Sequence, residues 1–177
     1  MPPVLISLRS RPLLSSIGNK ALNLRRLSEG GFKIPETYVI PWQVFERYQA
    51  NDLSLVEELL TELRKALRPG VKYAVRSSAN IEDSLANSFA GQFKSVLNVS
   101  TEAGVLQSAW SIWATVQSQS IQSYLDRLPP DRQELKMAVI VQEMVPPVFS
   151  GVAFSKNPMT GADEIVIEAV PGAGDTM

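Results

Sequence analysis

Arg76 follows a short apolar run, Tyr73-Ala74-Val75, and opens a stretch of small and polar residues that closes on Phe89-Ala90-Gly91-Gln92. A guanidinium keeps its charge at any working pH and forks two donors onto phosphate oxygens. A glycine such as Gly91 lets the main chain come close to a ligand, because no side chain stands in the way. One fixed cation, several serine hydroxyls and a small-residue turn together suit a polyanion such as a nucleoside triphosphate. A strand edge followed by a solvated loop would use the same residues, so this stretch by itself leaves both readings open.

Other candidates are spread along the chain. Lys20 lies just after Gly18 at the start of a predicted helix. There its ammonium adds a mobile charge to the positive end of the helix dipole, which suits a terminal phosphate; taken alone it reads as a surface lysine. Arg76 sits where an unpaired charge is costly, so it needs either an anionic ligand or a structural ion pair with Glu82, Asp83 or another carboxylate. Gln142 ends the apolar run Val139-Ile140-Val141. A flat apolar slot with a donor and an acceptor is what an adenine requires, although an edge strand with an ordinary polar tip fits the same pattern. Adjacent Glu82 and Asp83 invite a metal, but neighbouring acids on an extended chain point apart and magnesium wants convergent carboxylates, so no metal ligand is assigned. Pro171-Gly172-Ala173-Gly174 lacks the following helix and the length of a dinucleotide fingerprint.

Composition narrows the chemistry. The chain has 177 residues, enough for one domain or a small two-lobed one, and a formal charge of −1 from 17 basic and 18 acidic residues, so no broad field favours nucleic acid. It has no cysteine and no histidine, which removes disulfides, thiolate chemistry and imidazole catalysis from these residues. The opening Met1-Pro2-Pro3-Val4-Leu5-Ile6-Ser7-Leu8 is too short an apolar lead, without the positive charge of a secretory signal, and no segment has the length of a membrane span. A cytoplasmic protein is expected.

The elements that must position these residues follow from periodicity. Helices are expected over 20–29 (Ala21, Leu24 and Leu27 on one face), 42–50 and 54–67. In the last of these, Leu55, Leu59, Leu63 and Leu67 recur every four residues, Val56 and Leu60 widen the stripe, and Pro69-Gly70 stops it. Strands are expected over 37–40, 72–77, 93–99, 137–144, 151–155 and 164–169. Thr101 is the expected N-cap of a long helix through Trp110 and Trp113 that continues toward Leu125. Pro129-Pro130 marks a solvated connector and the expected boundary between two lobes. The result is a mixed α/β (α+β) chain.

Three blocks in order then resemble the phosphoenolpyruvate synthase and pyruvate phosphate dikinase family. They are Gly18-Asn19-Lys20-Ala21-Leu22 with Gly31-Phe32-Lys33-Ile34-Pro35; Arg76-Ser77-Ser78-Ala79 through Gly91-Gln92; and Gln142-Glu143-Met144-Val145 with Ser150-Gly151-Val152 and Asn157-Pro158-Met159-Thr160-Gly161. Asn80 departs from the threonine that many members carry. The resemblance implies the N-terminal part of an ATP-grasp nucleotide domain with a mixed sheet: a first subdomain over 1–126 and the start of a second lobe over 134–177, truncated. It implies that Lys20 and Arg76 contact ATP phosphates and that Gly91 and Ser95 cover them. It also implies that Gln142 lies beside the adenine, whose edge pairs with the main chain of Glu143, Met144 and Val145. ATP is the implied cofactor, with Mg2+ held by carboxylates outside this chain. The implied partners are a phosphohistidine domain and a domain binding pyruvate or phosphoenolpyruvate. The final acceptor is not readable from these residues. A non-catalytic nucleotide-binding module or a truncated remnant are the alternatives.

Overall fold

The computed structural model describes residues 2–10, 16–80, 94–126 and 135–173. Contacts divide the chain into two compact units, Met1–Met144 and Val145–Met177.

The first unit is built on a five-stranded sheet in the order β1-β2-β5-β3-β4, from Ile6–Ser7, Thr37–Ile40, Met137–Glu143, Tyr73–Ala79 and Ser95–Val99. Every pairing in it is antiparallel. The central strand β5 begins Met137-Ala138-Val139-Ile140-Val141, all buried, as expected of a strand covered on both faces. Its alternate residues divide the core in two. Met137, Val139 and Val141 join Tyr73, Val75 and the helices α2 (Trp42–Gln49), α3 (Leu55–Ala66), α4 (Glu102–Ala114) and α5 (Gln119–Leu125). Ala138 and Ile140 join Val39 and Ala21 of α1 (Gly18–Glu29) on the opposite face. Among the described residues one face therefore carries four helices and the other carries α1.

The leucine spacing of α3 works as expected at Leu55, Leu59 and Leu63, which are buried, and Glu57, Glu58, Arg64 and Lys65 complement its dipole at the two ends. Val56 and Leu27, expected on buried faces, are exposed. Thr101 caps α4 by accepting the Gly104 N–H at 3.0 Å. The long helix expected beyond it is broken: a 3-10 turn at Thr115–Gln117 leads to extended Ser118, and Thr115 turns its hydroxyl back onto the Ile112 carbonyl at 2.6 Å.

Three further features depart from the periodicity. The short strand β1 was not expected. The stretch 137–143, expected within a second lobe over 134–177, lies at the centre of the first sheet, paired with both β2 and β3, and the contact boundary falls after Met144. Strand β4 carries a bulge: Tyr73 faces Val99 while Val75 faces Val96, and Asn98 takes a φ of 60° to absorb the extra residue. The bulge lets Val96 and Val99 both pack on the larger core, and it leaves Ser95 directly opposite Arg76.

The second unit is a hairpin of β6 (Phe149–Phe154) and β7 (Val166–Pro171), each shifted by about two residues from the expected strands. Its turn is organised by Asn157, whose Oδ1 accepts the Met159 and Thr160 N–H groups.

Polar contacts lock α2 to α3. Arg47 donates to Asp52 at 2.8 Å and to Glu58 at 2.7 Å. The Ser54 hydroxyl, then Arg47, pull the half-buried Asp52 carboxyl from its ordinary 3.8 to about 2. A folded-state value below the unfolded one means the stabilisation is present above 3.8 and fades as pH falls through about 2. Asp52→Asn is therefore expected to lower Tm at pH 6, with the gap to wild type closing between pH 4 and about pH 2 in a thermal-melt series. A gap that persists unchanged at pH 2 would contradict this.

Candidate functional site

The N-terminus of α1 meets the end of β3 at unusually close range. Gly18 has a φ of 73°, and a Cβ placed on it would lie 2.1 Å from the Ser78 carbonyl oxygen. Only glycine satisfies both the backbone conformation and the approach. Three hydrogen bonds hold the same junction: Asn19 Nδ2 donates to the Asn80 carbonyl at 3.2 Å, Lys20 Nζ to the Ser77 carbonyl at 3.1 Å, and the Ala21 N–H to Ser78 Oγ at 3.1 Å. Helix α1 has no side-chain cap of its own, so Ser78 supplies one acceptor from a strand remote in sequence. The junction sets the Lys20 ammonium against the main chain of the residue that follows Arg76.

Arg76 points to the same side. It pairs directly with Ile140 on β5 and with Ser95 on β4, and directly opposed residues of an antiparallel pair share a face. Ile140 belongs to the core that contains Ala21, so Arg76 and Ser95 lie on the α1 face of the sheet. Arg76 is half-buried and Ser95 exposed. Among the described residues no acidic side chain forms an ion pair with Arg76. Other arginines of the unit are matched. Buried Arg25 donates to the Leu8 and Ser10 carbonyls and to Glu29, and Arg47 meets two carboxylates. Glu82 and Asp83, the expected alternative partners of Arg76, lie outside the described residues, as does Gly91.

Gln142 also lies on the α1 face, two residues along β5 from Ile140, opposite Ala74 and Thr37, with Nε2 donating to Thr37 Oγ1 at 3.0 Å. Two residues along a strand is about 7 Å. The structure thus brings Lys20, Arg76, Ser95 and Gln142 to one face.

Glu143 and Met144 are held by neighbouring segments of the chain. Glu143 faces the other way, opposite Tyr73, and its carboxylate is gripped by Arg68 at 2.8 and 2.5 Å. Together with Arg9, Glu36 and Tyr38 the pair lines a cavity of about 400 Å³. Burial, then the carboxylates of Glu36 and Glu143, push the Tyr38 phenol above its ordinary value, so it stays protonated there. The Glu143 N–H donates to the Glu36 carbonyl at 2.9 Å and the Met144 N–H to the Lys72 carbonyl at 2.8 Å. Met144 Sδ accepts the Asn98 N–H at 3.1 Å. Both main-chain N–H groups are therefore engaged by neighbouring segments, a consequence of register that residue types do not reveal. Val145 opens the second unit. Among the described residues no three acidic side chains gather to hold a metal ion.

Asn19, Ser78, Asn80 and Arg68 were not singled out as site residues from the sequence. No spacing rule links residue 19 to residue 80, or residue 68 to residue 143; only the folded strand order does.

Residues 52–177 match the family model for the pyruvate phosphate dikinase AMP/ATP-binding domain, and the chain belongs to that family. It is 30% identical over 210 residues to a phosphoenolpyruvate synthase of Aeropyrum pernix, covering 94% of this chain and 26% of that protein. An uncharacterised phosphotransferase of Bacillus subtilis, YvkC, is 31% identical over 180 residues, covering 90% of this chain and 22% of the relative. A rifampicin phosphotransferase of Streptomyces sviceus is 34% identical over 135 residues, covering 74% and 16%. The chain thus spans about a quarter or less of these three proteins. The fold is the mixed α/β type expected of an ATP-grasp-like domain of this family. No helix among the described residues is long and apolar enough to cross a membrane.

A half-buried cation with no acidic partner among the described residues adds little to stability. Arg76→Met is expected to leave the unfolding free energy within about 1 kcal/mol of wild type, or to raise it. A loss of more than about 2 kcal/mol in a urea titration would instead assign Arg76 to a structural ion pair.

Proposed function

We propose that this chain is the ATP-binding portion of a dikinase-type phosphotransferase, in which Lys20 and Arg76 hold the triphosphate and Gln142 marks the adenine end. The observation that carries this is the docking of the Lys20 ammonium on the Ser77 carbonyl, one residue beyond Arg76, at the junction of α1 and β3. Two cations brought together from distant parts of the chain can neutralise adjacent phosphate oxygens, and phosphoryl transfer depends chiefly on such positioning and charge neutralisation. Ser95, opposite Arg76, adds a hydroxyl at the exposed margin of the same face. Gly91 is assigned by family resemblance the task of covering the phosphates with its main chain. With the Glu143 and Met144 amides engaged, the base is read by the Gln142 side chain and by main-chain groups that follow it, Val145 included.

In this reading the phosphate passes from ATP to a histidine. The chain contains no histidine, so the accepting imidazole is supplied by a separate phosphohistidine domain, which in turn serves a domain binding pyruvate, phosphoenolpyruvate or another acceptor. Mg2+ accompanying the nucleotide is assigned, by the family resemblance, to carboxylates outside this chain. The chemistry falls to the nucleotide and the partner domains; the contribution of this chain is to bind and orient.

Each charge-assisted contact to phosphate is worth about 1.5–3 kcal/mol, or roughly 10- to 100-fold in affinity. Calorimetric titration with ATP is expected to show Lys20→Ala and Arg76→Ala each weakened by about that factor, with thermal melts close to wild type. ATP binding unchanged in both variants would refute the assignment. ATP bound tightly, with no phosphate reaching a supplied phosphohistidine domain, would make the chain a non-catalytic nucleotide module.

A further inference from the structure

Helix α1 carries one proposed phosphate ligand and strand β3 the other, so their relative placement must be fixed in both rotation and translation. A slip of one residue along a helix turns a side chain by about 100°, enough to swing Lys20 away from β3 altogether. Hydrophobic packing through Ala21 and Ile17 is too permissive to prevent this alone, since apolar contacts have no preferred direction. Directional contacts do the indexing, and they come from two residues of β3 and its end.

Ser78 Oγ accepts the Ala21 N–H at 3.1 Å, one residue after Lys20, while the Ser78 carbonyl is the surface against which Gly18 is pressed. Asn80 accepts the Asn19 side-chain amide on its carbonyl at 3.2 Å, one residue before Lys20. That carbonyl is itself held still. The Asn80 N–H donates to the Lys136 carbonyl at 3.1 Å, and Asn80 Oδ1 accepts the Lys136 N–H at 2.9 Å. These two bonds continue the β3–β5 ladder past its last pair, Ala79 with Met137. Lys20 is therefore bracketed on both sides along the chain by bonds to one strand end, which is anchored in turn to the central strand.

We propose that Ser78 and Asn80 are positioning residues: together they latch the first turn of α1 so that the Lys20 ammonium stays beside Arg76, ready for a phosphate group. This rests on the nucleotide reading for its purpose, but the latch itself is a property of the chain without ligand. A threonine at position 78 keeps the accepting hydroxyl and should preserve it; alanine at 78 removes the acceptor, and alanine at 80 removes the Oδ1 acceptor for the Lys136 N–H, one of the two bonds that hold the strand end.

The test uses the full chain and two readouts. The first is the rate at which acetic anhydride modifies Lys20 without nucleotide, measured by peptide mass spectrometry against exposed Lys33. The second is calorimetric affinity for ATP and for adenosine. Ser78→Ala and Asn80→Ala are expected to raise Lys20 modification by about threefold or more and to weaken ATP by roughly tenfold while leaving adenosine unchanged; Ser78→Thr should stay within about twofold of wild type on both. Faster Lys20 modification in a chain whose wild type does not bind ATP would uphold the latch and refute the nucleotide reading. Folded alanine variants with wild-type Lys20 reactivity would overturn the latch. So would equal losses of ATP and adenosine affinity, since those signify general loosening rather than positioning of a phosphate ligand.

Discussion

The close approach of α1 to β3 at Gly18 and Ser78 is the constraint on which the rest of the site depends. A helix normally keeps its backbone several ångströms from a sheet because side chains intervene. Here the missing side chain of Gly18 lets two backbones touch, and the positive φ that glycine alone adopts freely sets the direction in which the helix leaves. Both cations proposed for phosphate binding sit within a few residues of that contact: Lys20 two residues into the helix, Arg76 two residues before Ser78 on the strand. Any larger residue at position 18 would have to push the helix off the strand and separate the two cations. The glycine is thus a geometric requirement of the site as much as of the fold.

The arginines of the first unit differ in their partners. Arg25 satisfies its donors on the Leu8 and Ser10 carbonyls and on Glu29, tying the chain around β1 to α1. Arg47 bridges α2 and α3 through Asp52 and Glu58, and Arg68 holds Glu143 at the end of the central strand. Arg76 has no such acidic match among the described residues, although it lies on a strand whose other residues are buried. A guanidinium left that way at the margin of a core is costly unless an anion arrives, and the proposed triphosphate supplies the missing charge.

Much of the local structure was legible from residue types. The four-residue leucine spacing of α3, the Thr101 cap and the β-branched runs of β2 and β5 gave elements that the structure contains, because each depends on interactions a few residues apart. What the sequence could not show was partnership. Residues 137–143 read correctly as a strand, yet nothing in them says that they lie between β2 and β3 rather than with the hairpin that follows. Arg76 and Lys20 were legible as cations in suggestive settings. That Ser95 faces Arg76 depends on a bulge at Asn98, and that the Glu143 and Met144 amides are engaged depends on register with Glu36 and Lys72; both are set by pairings across long stretches of chain. The helix expected to run through Thr115 failed for a local reason, a hydroxyl returning to the backbone, which helical periodicity does not register.

The most direct test of the account is a crystal structure of the chain with a non-hydrolysable ATP analogue. Phosphate oxygens are expected within hydrogen-bonding distance of both Lys20 Nζ and Arg76, on the α1 face of the sheet, with the base toward Gln142. An analogue whose phosphates contact neither cation, or that lies on the face covered by α2, α3 and α4, would contradict it.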